Sequence, residues 1–171
     1  MPAKRWAPER FLEVGRQILA EDADNALIVV GGPEDRALGD DLCKRWGPRS
    51  LNLAGSVSVF GSAAALSRCA AYVGNDSGAM HLAGFVGVPC VAIFSARDVP
   101  GKWVPYGNNH RILRRHTDCA GCMLEVCDRS NLCLTKIQTE AVLGGWHELS
   151  RMNLPPAARS QGGGLTGPPG H

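Results

Sequence analysis

Apolar positions in this chain switch repeatedly between a helical period and short continuous runs. In "PERFLEVGRQILAE" (8–21), Phe11, Leu12, Ile18 and Leu19 fall near helical spacing, and Pro8 stands where a first-turn proline is tolerated. "NALIVVGG" (25–32) is a short β-branched run closed by glycines, the pattern of a buried strand. "PEDRALGDDLCKRW" (33–46) reads as a helix with Pro33, Glu34 and Asp35 in its first turn. The alternation continues through a strand at "SLNLAG" (50–55), a small-residue helix at "VFGSAAALSRCA" (59–70) and a strand at "AYVG" (71–74). A helix follows at "SGAMHLAGFVG" (77–87), then strands at "PCVAIF" (89–94) and "HRILRR" (110–115), and a closing helix at "TKIQTEAVLGGWHEL" (135–149). Strands alternating with helices imply parallel βαβ units, so the expected fold is α/β with a doubly wound, mostly parallel sheet.

The expected domain spans 1–150. From 151 to 171 the chain turns to Pro, Gly, Ser and Ala, ending "SQGGGLTGPPGH", and is expected to be a disordered tail. A net charge of +2, with no basic and aromatic interleaving, excludes nucleic acid as the expected partner. The first twenty residues carry Glu9, Arg10, Glu13 and Arg16 and no apolar signal core, and no apolar run reaches membrane-spanning length. The expected location is the cytoplasm, with peripheral attachment to a membrane left open.

Candidate chemistry sits where strands run into helices, since open α/β sheets bind ligands at the carboxyl ends of their strands. In "YVGNDSGAMH" (72–81), Gly74 and Gly78 let the backbone turn tightly, and Asp76 or Ser77 can cap the next helix. The first N–H groups of that helix and its positive dipole end then form an anion site suited to a diphosphate. His81 follows Ser77 by one helical turn. Asp76 and Ser77 as plain caps, with His81 an interior histidine, is the competing reading. At "VVGGPED" (29–35), Glu34 can accept hydrogen bonds from ribose hydroxyls or simply complement a helix dipole.

Of seven cysteines, Cys43, Cys69 and Cys90 lie in apolar segments and read as small buried hydrophobes. Cys119, Cys122, Cys127 and Cys133 form C-x2-C-x4-C-x5-C, which suggests a structural zinc or an iron–sulfur cluster, with His110 and His116 as flanking substitutes. Reduced thiols, or two disulfides, is the alternative.

Taken together, "KRWAPERF", "LIVVGGPED", "LNLAGSVSV", "VGNDSGAMHLAGFVGVPCVAIF", "KWVPYG" and the late cysteines resemble glycosyltransferase family 9, the ADP-heptose:lipopolysaccharide heptosyltransferases. The likeness covers residues 4–143. It implies the C-terminal, Rossmann-like half of a GT-B fold, the half that binds a nucleotide-sugar donor such as an ADP-heptose. By that resemblance Lys4 neutralises donor phosphate, Glu34 lies near the ribose, and Asp76, Ser77, Gly78 and His81 meet the diphosphate and sugar. Transfer would need no cofactor. The saccharide or lipopolysaccharide acceptor and the catalytic base belong to an N-terminal domain that this chain lacks, so the chain alone is expected to bind without catalysing. The family also carries a central strand just before the lysine motif, where only Met1, Pro2 and Ala3 precede Lys4 here, and Ala7 stands where the family has proline. Losing that strand would expose the edge of its neighbour. Trp103 and Lys102 are candidates to cover the donor. The alternatives are a stand-alone nucleotide-binding module and half of another GT-B enzyme, such as a UDP-sugar epimerase.

Overall fold

A computed structural model describes residues 1–153 of the chain. Five short strands alternate with helices as the apolar pattern predicts: β1 (Leu27–Val29), β2 (Ser50–Asn52), β3 (Tyr72–Asn75), β4 (Cys90–Phe94) and β5 (Arg111–Arg114). The helices are α1 (Pro8–Glu21), α2 (Arg36–Trp46), α3 (Val59–Leu66), α4 (Gly78–Phe85), α5 (Leu132–Thr135) and α6 (Thr139–Asn153). Every strand pairing is parallel, as βαβ connections require.

The sheet comes in two pieces. β1 pairs with β2, and β3, β4 and β5 form a separate three-stranded sheet in that order. β4, paired on both sides, is buried at all five positions, whereas β1 is only half-buried throughout.

Two cores lie on opposite faces, which is the physical content of double winding. Val91 and Ile93 of β4 point toward Trp6, Val14 and Ile18 near the amino end and Ile137, Val142 and Leu149 near the carboxyl end. Cys90, Ala92 and Phe94 point the other way, toward Leu66 of α3 and Met80 and Ala83 of α4. Alternate side chains of one strand thus feed different layers.

Several boundaries differ from the expectation. The segment 33–35 is a 3-10 turn ahead of α2, because Pro33 opens it and the Asp35 carboxylate turns back onto the Gly32 N–H. The closing helix breaks at 136–138. There Lys136 and Ile137 cap α5, and the Ile137 carbonyl leaves the helical ladder to accept from the Trp6 indole at 3.0 Å. α6 runs through Asn153, so the first three residues of the expected tail are helical, and the rest of it lies outside the described residues. Among the described residues no helix is long and apolar enough to cross a membrane.

Trp6 joins these parts. Its ring is buried, stands edge-on to Phe11 at 4.9 Å, and its backbone N–H donates to Asn75 Oδ1 at the end of β3. Arg10 reaches the carbonyls of Thr135 and Ile137 beside it. Removing the indole empties the largest fully buried side-chain volume and takes the buried Nε1 donor from the Ile137 carbonyl. Trp6→Ala is therefore expected to lower unfolding stability by about 3–5 kcal/mol, read from the urea midpoint at unchanged slope.

Candidate functional site

The turns after β1 and β3 open into one cleft of about 2030 Å³, and Lys4, Glu34, Asp76, Ser77, Gly78 and His81 all line it. Residues from three separate stretches of sequence thus meet at the carboxyl ends of parallel strands, as the fold class requires.

The β3 turn builds most of it. Asp76 donates its backbone N–H to Ile93 O of β4, which continues the ladder one residue past the strand and holds the carboxylate at the strand end. Ser77 is the N-cap residue of α4 in extended conformation, yet its side chain caps nothing. Its hydroxyl stands 3.5 Å from the Tyr72 hydroxyl instead. Burial pushes the Tyr72 hydroxyl up to about 12, so it stays protonated near neutral pH. The first-turn N–H groups of α4, beginning at Gly78, have no intrahelical acceptors and give this end a partial positive charge. A Cβ on Gly78 would meet nothing, so the glycine leaves open approach to those groups.

Four charges stand beside the turn. Lys4 Nζ lies 2.5 Å from Asp76 Oδ2 and 3.7 Å from Asp98 Oδ2. Arg97 Nη1 donates to the same Asp98 oxygen at 2.9 Å. The side chains of Asp76, Arg97 and Asp98 are almost wholly out of solvent, and that of Lys4 largely so. Two cations against two carboxylates balance, which is how such charges survive burial. His81 is half-exposed at the rim, with Nε2 4.0 Å from Asp76 Oδ1.

Glu34 is exposed, with its carboxylate folded back over Gly32, where a Cβ would lie 2.3 Å from Glu34 Oε2. The acid that organises this turn is Asp35, which accepts from the Gly32 N–H at 3.2 Å and faces Arg5 at 3.8 Å. The loop after β4 reaches the cleft through Val104 and Tyr106 rather than Lys102 and Trp103, which stack on each other as a cation–π pair.

Sequence reasoning missed Asp98, Arg97 and Asn75. The available signal was "SARD" (95–98), a polar group directly after the most apolar strand and at its carboxyl end. Arg97 also donates to the carbonyls of Met123 and Leu124, both at 2.6 Å. Ala3 N–H donates to Glu125 O at 2.9 Å, so the cysteine-rich loop holds both the amino-terminal segment and Arg97 in place.

Cys119, Cys122, Cys127 and Cys133 are all free and line a single cavity of about 10 Å³. Among the described residues, however, no three His, Cys, Asp or Glu side chains are grouped to hold a metal ion, so the thiols share a neighbourhood without forming a ligand set. His110 is engaged elsewhere: its Nδ1 accepts from Cys90 N–H, and its Nε2 then carries the proton toward Tyr106 O at 2.8 Å. Cys90 is fully buried, and burial pushes its thiol up to about 12, so it behaves as the small hydrophobe the sequence suggests.

The Lys4–Asp76 pair is testable as a unit. A double-mutant cycle with Lys4→Ala and Asp76→Ala is expected to give a coupling of about 1–3 kcal/mol that changes little in strong salt. A coupling near zero would mean that solvent screens the pair despite its burial.

Residues 1–132 match the family described as Glycosyltransferase family 9 (heptosyltransferase). Lipopolysaccharide heptosyltransferase 2 of Escherichia coli strain K12 is 27% identical over 117 residues, covering 66% of this chain and 33% of that protein. Among solved structures, E. coli ADP-heptose LPS heptosyltransferase II aligns with a TM-score of 0.73 at 24% identity, over 88% of this chain and 43% of that one. The E. coli heptosyltransferase WaaC solved with ADP aligns with a TM-score of 0.68 at 21% identity, over 87% of this chain and 41% of that one. The chain thus spans between a third and a half of the length of these relatives, and its parallel α/β architecture is that of the heptosyltransferase structures. With the family match extending over most of the chain, this protein belongs to glycosyltransferase family 9.

Proposed function

We propose that residues 1–150 are the donor-binding domain of a glycosyltransferase that moves a heptose-like sugar from a nucleoside diphosphate to a lipopolysaccharide-type saccharide. The observation that carries this reading is the convergence of Lys4, the open amino end of α4 and His81 on one cleft at the strand ends. The family match and the relative solved with ADP support it.

The chemistry follows from where negative charge develops. When the bond from the sugar to the diphosphate breaks, the leaving oxygen gains charge, and fixed donors aimed at it lower the barrier. Lys4 has three N–H donors, and Asp76 engages one of them at 2.5 Å. Asp76 thereby holds the ammonium at the cleft wall, with donors left for a phosphate oxygen. The N–H groups of Gly78 and its neighbours receive the other phosphate, and Gly32 with exposed Glu34 borders the ribose. His81 at the rim contacts the sugar or its phosphate. In this reading the acceptor and the catalytic base come from polypeptide outside residues 1–171. The isolated chain binds donor without transferring it, on the cytoplasmic side and peripheral to the inner membrane.

Calorimetry on the purified chain with ADP, UDP and GDP tests this. ADP is expected to bind with a Kd of roughly 10 µM to 1 mM and at least about fivefold tighter than the other two. His81→Ala, a half-exposed position whose loss spares the core, is expected to weaken ADP about three- to tenfold. A folded sample that binds none of the three would remove the donor-site reading, and a preference for UDP would move it to another class of GT-B enzyme.

A further inference from the structure

The four charges beside the β3 turn divide by what they can touch. Lys4 and Asp76 form part of the cleft wall, whereas Arg97 and Asp98 stand outside the lining, with side chains almost wholly out of solvent. A ligand in the cleft therefore meets the Lys4–Asp76 pair and does not reach Asp98. The donor-site reading gives Lys4 to a phosphate and leaves Asp98 without a task, although a buried carboxylate is costly to keep.

Asp98 is held by both its side chain and its backbone. Its Oδ2 accepts from Arg97 Nη1 at 2.9 Å, and its carbonyl accepts from Arg114 of β5. Arg97 cannot swing away, because its Nε donates to Leu124 O and its Nη2 to Met123 O, each at 2.6 Å. Arg114 also donates to Ala96 O at 3.1 Å, which pins the loop two residues earlier. The carboxylate is thus a fixed negative charge, and its Oδ2 lies 3.7 Å from Lys4 Nζ. That distance is too long for a hydrogen bond, so Asp98 acts on the ammonium through charge. Asp76 Oδ2, at 2.5 Å, takes one of the three N–H groups directly.

We propose that Asp98 is a positioning residue for phosphate binding at Lys4: a fixed carboxylate out of the ligand's reach that keeps Nζ at the cleft wall when a phosphate oxygen competes with Asp76 for it. The reason lies in the signs of the charges. Asp76 shares the cleft with the ligand, so an arriving diphosphate and Asp76 repel each other and draw on the same ammonium. A lysine paired with Asp76 alone, on its flexible stem, would follow the phosphate into the cleft. With Asp98 behind it, the ammonium can turn donors to the phosphate and still face a carboxylate that stays in place. Lys4 and Arg97 against Asp76 and Asp98 sum to zero charge, so the cluster adds little net attraction for an anion, and what it offers is direction. The inference takes its ligand from the donor-site reading, whereas the fixing of Lys4 by Asp98 stands apart from any nucleotide.

Two measurements on the full 171-residue chain test it. The first uses no nucleotide: exchange of the Lys4 ammonium protons with water, followed by nitrogen NMR at low temperature. Asp98→Asn, which has the same shape, is expected to speed that exchange by about threefold or more. Asp98→Glu keeps the charge that Arg97 needs, is expected to fall in between, and carries the test if the Asn variant does not fold. The second is a cycle of ADP affinities by calorimetry. With Lys4 present, Asp98→Asn is expected to weaken ADP about fivefold, even though losing the carboxylate makes the cluster more positive. In a Lys4→Met background the same change is expected to leave ADP binding as tight or tighter. Equal weakening in both backgrounds would give Asp98 a structural role only, and tighter ADP binding with Lys4 present would make it a bare repulsive charge. Either result overturns the proposal, as does Lys4 exchange that neither Asp98 variant changes. If the unaltered chain binds no ADP, the donor-site reading fails by itself, and the exchange measurement still decides whether Asp98 holds Lys4.

Discussion

The indole of Trp6 is the contact on which both halves of the molecule depend. The two sheet pieces share no backbone hydrogen bonds, so helices and side chains must hold them in register. α1 provides the link, and Trp6 fixes its start: the ring is buried against Phe11, its Nε1 binds Ile137 O, and its backbone binds Asn75. At the other side of α1, the Trp46 indole donates to Leu12 O at 2.9 Å and lies directly over Gly15, where a Cβ would come within 2.4 Å of the ring. The helix is thus clamped to the β1–β2 piece by one tryptophan and to the β3–β5 piece by another. Few interactions of a small domain are so concentrated, and each buried indole forms its polar bond as buried tryptophans do.

The charge cluster hangs from the same anchor. Lys4 is two residues from Trp6, so the depth at which the indole is seated decides where the ammonium lies. The cluster couples three loops: Lys4 from the amino-terminal segment, Asp76 after β3, and Arg97 with Asp98 after β4. Arg97 then spans to the cysteine-rich loop, and Arg114 donates to Ala96 O at 3.1 Å and to the Asp98 carbonyl from β5. A buried cation with its donors distributed among carbonyls and one carboxylate is fixed in direction as well as place. The cysteines matter here through backbone, since the loop that carries them supplies Met123, Leu124 and Glu125 as acceptors. Asn131 shows how tight that loop is: it adopts a left-handed conformation at φ 52°, and its Oδ1 is buried without a partner.

What the sequence made legible is what local periodicity can carry. α1 starts and stops where "PERFLEVGRQILAE" does, and four of the five strands fall inside the runs that predicted them, with β3 running one residue past "AYVG" to Asn75. The turn at "NDSGAMH" was legible because its position after a strand and its residue types both point to one chemistry. The rest depends on pairs far apart in the chain. Lys4 and Asp76 are 72 residues apart, and nothing in either segment announces the other. Asp98 is a single acid in a loop, and it becomes part of the site only because β4 lies next to β3. Glu34 and Asp35 are adjacent acids, and nothing in their order tells that Asp35 is the one that accepts from the Gly32 N–H while Glu34 stays exposed. The break at 136–138 was illegible for the same reason, because the group that takes the Ile137 carbonyl out of the helix is Trp6, 131 residues away.

The two-piece sheet also determines what sets the dimensions of the site. In a continuous parallel sheet, neighbouring strand ends are held about 4.8 Å apart by their ladder. Here the turn carrying Gly32 and Glu34 leaves β1, the turn carrying Asp76 and Gly78 leaves β3, and no ladder connects those strands. Their separation is set instead by α1, which packs against both α2 and α6, with the Trp46 indole bonded to Leu12 O and the Trp6 indole to Ile137 O just ahead of α6. Side-chain packing positions elements less stiffly than a ladder of backbone hydrogen bonds, because it can slide before it breaks.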